Sequence, residues 1–245
     1  MEKLNEKITI KKITKWLEKK LKESKLQGFV LGLSGGIDSA VVAALARQTT
    51  KKVLCLIMPC HSAKTDVEDA ILVAKKLKLK YEIIDLSPIF DLFLKILPDA
   101  DKLAIANIKP RLRMITLYYY AALNKSLVLG TGNKSELSIG YFTKYGDGGV
   151  DLLPIGNFLK REIYQLAKGL NIPQKIIDKP PSAGLWANQT DESEMGLTYA
   201  ELDETLINLA NGMIPKNIKK QTISKIKKMV QQSEHKRQLP EVFKN

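Results

Sequence analysis

Four short apolar runs, separated by stretches with helical periodicity, restrict the possible folds of this 245-residue chain more than any other feature. The runs cover residues 29–33, 53–58, 81–86 and 127–130. Between them, residues 37–48, 66–79 and 101–124 carry apolar side chains at the three-to-four residue spacing of a helix. A strand that reads as a continuous apolar run is buried on both faces, and strands alternating with helices build a mostly parallel sheet covered on both sides. The expected fold is α/β, a doubly wound, mostly parallel sheet in a single domain over residues 1–245.

Within that frame, residues 1–26 form an N-terminal helix, with Ile10, Ile13, Trp16, Leu17 and Leu21 on its inner face from residue 3 onward. Residues 27–178 are the α/β core, and residues 179–245 hold a flexible loop and the C-terminal helices, at 198–211 and 217–231. Shorter helices are expected from Asn133 and over 160–168. Ser87 should cap a helix with Pro88 at its first position, and Pro110 should bend or restart the helix of 101–124. Three glycines in residues 144–149 raise the entropy cost of order, so a mobile loop is expected there. The Pro-, Gly- and Ser-rich residues 179–196 read as a second flexible stretch.

The net charge of +13 would suggest nucleic acid or an anionic membrane as partner. Its position argues otherwise. Nine Lys against four Glu fall in residues 1–25, and nine basic against two acidic residues in 216–245, which leaves the body of the chain almost neutral. No apolar run reaches the roughly 18 residues of a membrane span, and no leader sequence is evident. The expectation is a cytoplasmic protein with neither nucleic acid nor membrane as partner. Cys55, Cys60 and His61 fit no zinc spacing, so no metal or catalytic thiol is expected from them.

The chemistry concentrates at Gly32-Leu33-Ser34-Gly35-Gly36-Ile37-Asp38-Ser39, where the first core strand meets its helix. Glycines let the backbone turn sharply, so the loop and first-turn amides can face one anion, with the Ser34 and Ser39 hydroxyls beside them. The Gly-Lys-Ser/Thr ending of a Walker loop is missing, while a carboxylate, Asp38, stands beside the phosphate site. Two anions there would repel each other without a divalent cation between them.

This loop resembles the SGGxDS signature of the PP-loop ATP pyrophosphatases, which cleave ATP between its α and β phosphates. The blocks that follow narrow the resemblance: residues 107–114 (NIKPRLRM), 129–136 (LGTGNKSE), 141–154 (YFTKYGDGGVDLLP), 160–162 (KRE), 181–183 (PSA) and 191–196 (DESEMG). Together they are similar, over nearly the whole chain, to the ammonia-dependent NAD synthetase family. The resemblance implies the adenine nucleotide alpha hydrolase-like fold, with ATP held at 32–39 and touched by Thr131, Lys160 and Ser182. It implies Mg2+ on Asp38 and Glu136, and contacts to deamido-NAD from Arg113, Lys144, Asp151, His235 and Lys236. Arg111, two residues from Arg113, is the alternative for that contact.

The implied reaction is amidation of deamido-NAD with ammonia through an acyl adenylate, giving NAD, AMP and pyrophosphate without a protein nucleophile. Free ammonia is the expected donor, because a chain of this length has no room for the amidase domain of glutamine-using relatives. The resemblance also implies a homodimer with the dinucleotide at the subunit interface. The competing reading, a tRNA-modifying PP-loop enzyme, would call for an RNA-binding module or a functional cysteine pair, and neither is evident.

Overall fold

The computed structural model describes residues 4–186 and 189–243; Lys3, where the N-terminal helix was expected to begin, and the ends of the expected domain lie outside them. Helix α1 (Glu6–Ser24) starts where the Asn5 side chain accepts the Ile8 amide and stops at Lys25, whose left-handed backbone (φ 57°) cannot continue it. Its Ile10, Ile13 and Leu17 are buried while Lys7, Lys11, Lys12 and Lys15 face solvent. Much of the N-terminal charge is therefore a wet helix face.

Strands β1 (Gly28–Gly32), β2 (Val53–Ile57), β3 (Lys80–Ile83) and β4 (Ser126–Leu129) form one parallel sheet in the order β3-β2-β1-β4. Every residue of β2 is buried, as its continuous apolar run requires. β3 lies at the edge and ends earlier than its apolar pattern suggests. There Asp85 accepts both the amide and the hydroxyl of Ser87 and turns the chain into α4 (Ser87–Ile96). Ser87 is thus the first helical residue rather than the cap, which is Leu86.

Alternation along β1 splits the core in two. Phe29 and Leu31 point toward α1, α2 (Ile37–Thr49), α3 (Lys64–Lys76) and α8 (Lys160–Gly169), and Val30 points toward α4 and the long helix α6 (Ile108–Leu123). The helix expected over 101–124 is broken, but at Asn107 rather than at Pro110. A short α5 (Lys102–Ala106) precedes the break, and Pro110 falls in the first turn of α6, where a missing backbone donor costs nothing.

Helix α7 (Lys134–Ile139) opens with an Asn133/Glu136 capping box. After α9 (Gln174–Ile177), helices α10 (Asp191–Met195), α11 (Tyr199–Ala210), α12 (Lys220–Gln232) and α13 (Glu234–Arg237) complete the chain. Ile139 of α7 shares a small core with Met195, Leu202 and Ile226 of these helices. No described helix is long and apolar enough to cross a membrane.

The sheet order carries a functional consequence. The chain leaves β1 toward β2 and β3, then returns to the opposite side for β4, so the loops after β1 and β4 diverge and leave a crevice at their carboxyl ends.

Candidate active site

The crevice is a cavity of about 500 Å³, and the loop after β1 forms one wall of it. Gly35 adopts φ +81°, and a Cβ there would sit 2.6 Å from the Asp66 carbonyl and 2.9 Å from the Asp69 Cβ. Only glycine lets the loop turn back against α3 at this point. Gly35 does not line the cavity, whereas Gly32, Leu33, Ser34, Gly36, Ile37 and Ser39 do. The Ser34 amide donates to Ser39 Oγ (3.2 Å) and the Gly36 amide to Ser34 Oγ (3.2 Å), so these two amides are committed to the loop itself. The anion site counted on all of them. The donors left are the first-turn amides of α2, which have no intrahelical acceptor.

Asp38, in that first turn, meets two residues from distant parts of the chain. Lys160, the first residue of α8 and only 2% exposed, places Nζ 2.6 Å from Asp38 Oδ2 and 3.1 Å from Glu136 Oε1. The other oxygen of each acid is held by Asn133: its Nδ2 donates to Asp38 Oδ1 (2.9 Å) and its backbone amide to Glu136 Oε2 (3.3 Å). The carboxylates assigned to Mg2+ from sequence are therefore bridged by an ammonium as well. Burial alone would push the Lys160 ammonium down, but Asp38 and Glu136 outweigh it and hold Lys160 firmly charged. Asp191 adds a third nearby acid, so one lysine faces more negative charge than it can cancel.

Burial pushes the Glu136 carboxyl up from its ordinary 4.5 to about 7, with Lys160 opposing and Asp38 reinforcing. The sign follows from proton counting. Between these two values the folded chain keeps a proton on Glu136 that the unfolded chain has lost, so stability falls as pH rises through that window. Glu136→Gln should flatten this slope, read from urea midpoints in metal-free buffer at about pH 5 and pH 7.5; an unchanged slope would contradict the assignment.

Across the cavity stand Arg113, Thr131, Lys236 and a carboxylate with no assigned part in the sequence reading, Asp147. Arg113 is anchored by Nε to the Met58 carbonyl (3.2 Å). Arg111 instead lies outside the cavity, against the carbonyls of Asn107 and Lys144. Lys236 Nζ donates to the carbonyls of Gly140 (2.8 Å) and Phe142 (2.9 Å). Burial raises the Asp147 carboxyl, although the Thr143 amide (2.9 Å) and Arg113 oppose this.

The glycine-rich residues 144–149 were expected to be mobile, but they fold into a compact turn. Gly146 and Gly148 donate to the Thr143 carbonyl, and Thr143 Oγ1 donates to Asn107. The glycines serve close packing: a Cβ on Gly148 would lie 2.5 Å from the Phe142 ring.

Three residues assigned to the dinucleotide lie outside this cavity. Lys144 Nζ donates to the His235 carbonyl (2.7 Å), which ties the turn to α13. The Asp151 carboxylate accepts the Tyr118 hydroxyl (3.0 Å) and the Val128 amide (2.7 Å) at the sheet edge. Ser182, by contrast, lines the cavity within a segment anchored by Lys179, whose Nζ reaches Asp66 (2.8 Å) and Asp69 (2.7 Å). Lys179, Asp147, Asp191 and Tyr199 had no role assigned from sequence. Asp147 and Asp191 sat inside quoted blocks, and the pattern offered no sign that either would be desolvated.

Among known proteins, residues 9–240 match the family described as NAD synthase. The chain is 48% identical over 237 residues to the NH3-dependent NAD+ synthetase of Carboxydothermus hydrogenoformans, covering 94% of this chain and 95% of that one. Two solved structures are similar in fold and sequence. The NMN synthetase from Francisella tularensis superposes with a TM-score of 0.91 at 37% identity, over 98% of this chain and 99% of that one. The NH3-dependent NAD synthetase from Campylobacter jejuni, in complex with nitrate, gives 0.86 at 36% identity, over 98% of this chain and all of the other.

Proposed function

The chain belongs to the NAD synthase family, and we propose that its cavity performs in two steps the ATP-dependent amidation of deamido-NAD by ammonia to NAD. The protein is a ligase that forms a C–N bond. One observation carries the assignment of residues: Asp38, Glu136 and Lys160 converge on the phosphate-binding loop in the cavity that also presents Arg113.

In the first step the nicotinate carboxylate attacks the α phosphorus of ATP and pyrophosphate leaves; in the second, ammonia attacks the acyl adenylate and AMP leaves. Ser34, Gly36, Ile37, Ser39 and Thr131 hold the triphosphate, Ser182 reaches it from the segment above, and Lys160 offsets charge on the departing pyrophosphate. Arg113 and Lys236 receive the anionic groups of the dinucleotide. Positioning and oriented charge suffice for catalysis, and no protein nucleophile is needed.

The donor set suits Mg2+. Asp38 and Glu136 are hard oxygen ligands beside a phosphate site, and Mg2+ takes one or two carboxylates with phosphate oxygens and water. Among the described residues no three His, Cys, Asp or Glu side chains form a protein-only cage. Asp38 and Glu136 would hold the ion, which when bound neutralises charge on the phosphate oxygens. Consumption of ATP fits a cytoplasmic location.

A homodimer accounts for the residues outside the cavity. Helices α4 and α6 expose Ile96, Tyr119 and Leu123 to 67–69%, an apolar face of the kind that marks a protein interface. Asp151 is bonded to Tyr118 of the same helix, so a second copy docked on this face would meet it. Lys144, Asp151 and His235 then serve the site formed with the partner. Leu123→Glu should convert a species of twice the chain mass into a monomer on a sizing column and remove most activity. A wild-type chain that is active as a monomer would overturn this arrangement.

The reaction itself is tested by incubating the protein with ATP, Mg2+, ammonium chloride and deamido-NAD and measuring NAD and pyrophosphate. Equimolar formation of both is expected. No product in that mixture, with ATP cleavage on adding tRNA, would sink the reading. Nicotinate mononucleotide, the substrate class suggested by the Francisella tularensis neighbour, belongs in a parallel arm: a higher kcat/KM with it would reassign the preferred substrate.

A further inference from the structure

Helix α8 carries Lys160 as its first residue, yet the position before it is Leu159, which has no side-chain oxygen to cap the free amides of a first turn. Those amides are taken by residues far away in the chain. The Lys160 amide donates to Ser135 Oγ (2.9 Å) and the Arg161 amide to Asp203 Oδ2 (3.1 Å). The Ser135 hydroxyl in turn donates to the other oxygen of Asp203, so the serine and the acid form one relay. Asp203 only accepts in these bonds, as an ionised carboxylate does. Both side chains are buried, and neither lines the cavity.

The relay joins three helices where the acids and the lysine meet. Ser135 is the second residue of α7, directly before Glu136, and Asp203 belongs to α11. Beside it the Lys134 amide donates to the Phe158 carbonyl (2.8 Å), so the starts of α7 and α8 are tied side by side. Register matters at such a junction: a slip of one residue along α8 would swing the Lys160 stem by about 100° and move it by about 1.5 Å. With the stem held, Nζ falls 2.6 Å from Asp38 and 3.1 Å from Glu136. The peptide dipoles favour a carboxylate at a helix N-terminus, so Asp203 ties α8 by its charge as well as by its bond.

On the functional reading above, we propose that Ser135 and Asp203 are positioning residues: they fix the first turn of α8 against that of α7 and so set the Lys160 ammonium against Asp38 and Glu136, where it faces the departing pyrophosphate. Neither residue touches the reacting groups. A cap with no other task would stabilise α8 and leave the ammonium in place, because a long side chain in open space absorbs a small shift of its stem. Lys160 has no such slack: its side chain is almost fully buried, and a close-packed interior passes a backbone shift on to the head group. Misplacing a catalytic group by about 1 Å costs up to about 10²-fold in rate.

The test reads the Lys160 ammonium in the full chain without ligands, by heteronuclear NMR of the lysine side chains. A signal protected from exchange with water in the wild-type, and missing from Lys160→Arg, identifies it. In Ser135→Ala that signal should shift or disappear, while backbone signals of β1 and β2 stay at their wild-type positions. In steady-state assays, Ser135→Ala should lower kcat about tenfold with KM for ATP changed less than about threefold, the pattern of misplaced chemistry rather than lost binding. If Ser135→Ala does not fold, Asp203→Asn carries the same expectations, because it keeps the volume and removes one of the two acceptors. No protected signal in the wild-type, an unmoved signal in a folded variant, or a kcat within about threefold of wild-type would each overturn the proposal and leave the pair as a cap for α8. Failure of the wild-type to make NAD would instead overturn the functional reading, and the ammonium signal, which needs no turnover, would still decide the placement.

Discussion

Asp38→Ala should lower the rate of NAD formation by about 10² to 10³-fold, the usual loss when one well-aimed charged group is removed, while leaving a folded chain. Asp38 lies in the first turn of α2 with one oxygen on Lys160 and the other on Asn133. Its loss takes away one of two acidic ligands proposed for Mg2+ and one of two partners of a buried ammonium. Lys160 keeps Glu136, so the fold should survive at a cost of about 1–3 kcal/mol from unmade bonds. Rate is measured as pyrophosphate release under saturating ATP, and circular dichroism checks the fold. Near-normal turnover in a folded variant would remove Asp38 from the metal site.

Lys160→Met should have the larger effect on stability. It leaves Asp38 and Glu136 buried near each other with their shared cation gone, and breaking a buried ion pair from one side costs about 3–5 kcal/mol. The deficit should shrink at low pH. Without the ammonium that opposes burial, the Glu136 carboxyl shifts further upward, so the folded variant binds more protons than its unfolded chain, and stability rises as pH falls. Urea unfolding at about pH 7.5 and pH 5.5 reads this directly. A deficit equal at both values would mean that the lysine stem, rather than its charge, is what the fold needs. Turnover should also be lost, since the charge facing the leaving pyrophosphate is gone.

Some of the local structure around the cavity was legible before the fold was known. The loop at 34–39 could be read because a tight turn between strand and helix is a local property of glycine and serine spacing. The same holds for Glu136: Asn133 and Glu136 are spaced as a helix start, and the capping box they form aims the acid inward. Local reading failed where neighbours decide. Residues 144–149 look flexible by composition, yet their glycines are spent on contact with Phe142 and Thr143. Pro110 looked like the helix break, but the break falls three residues earlier so that the proline can sit in a first turn. Arg111 and Arg113 could not be separated by spacing, and the turn of α6 sends only Arg113 into the cavity.

Sequence by itself determined the alternating strands and helices and the tight turn at 34–39, because each depends on residues within a turn or a strand of one another. The tertiary structure alone decided that Lys160, 122 positions from Asp38, binds both acids, and that the Tyr199 hydroxyl stands between Glu136 and Asp191. Charge pairing depends on distance in space and on exclusion of water, and neither is set until sheet and helices have packed.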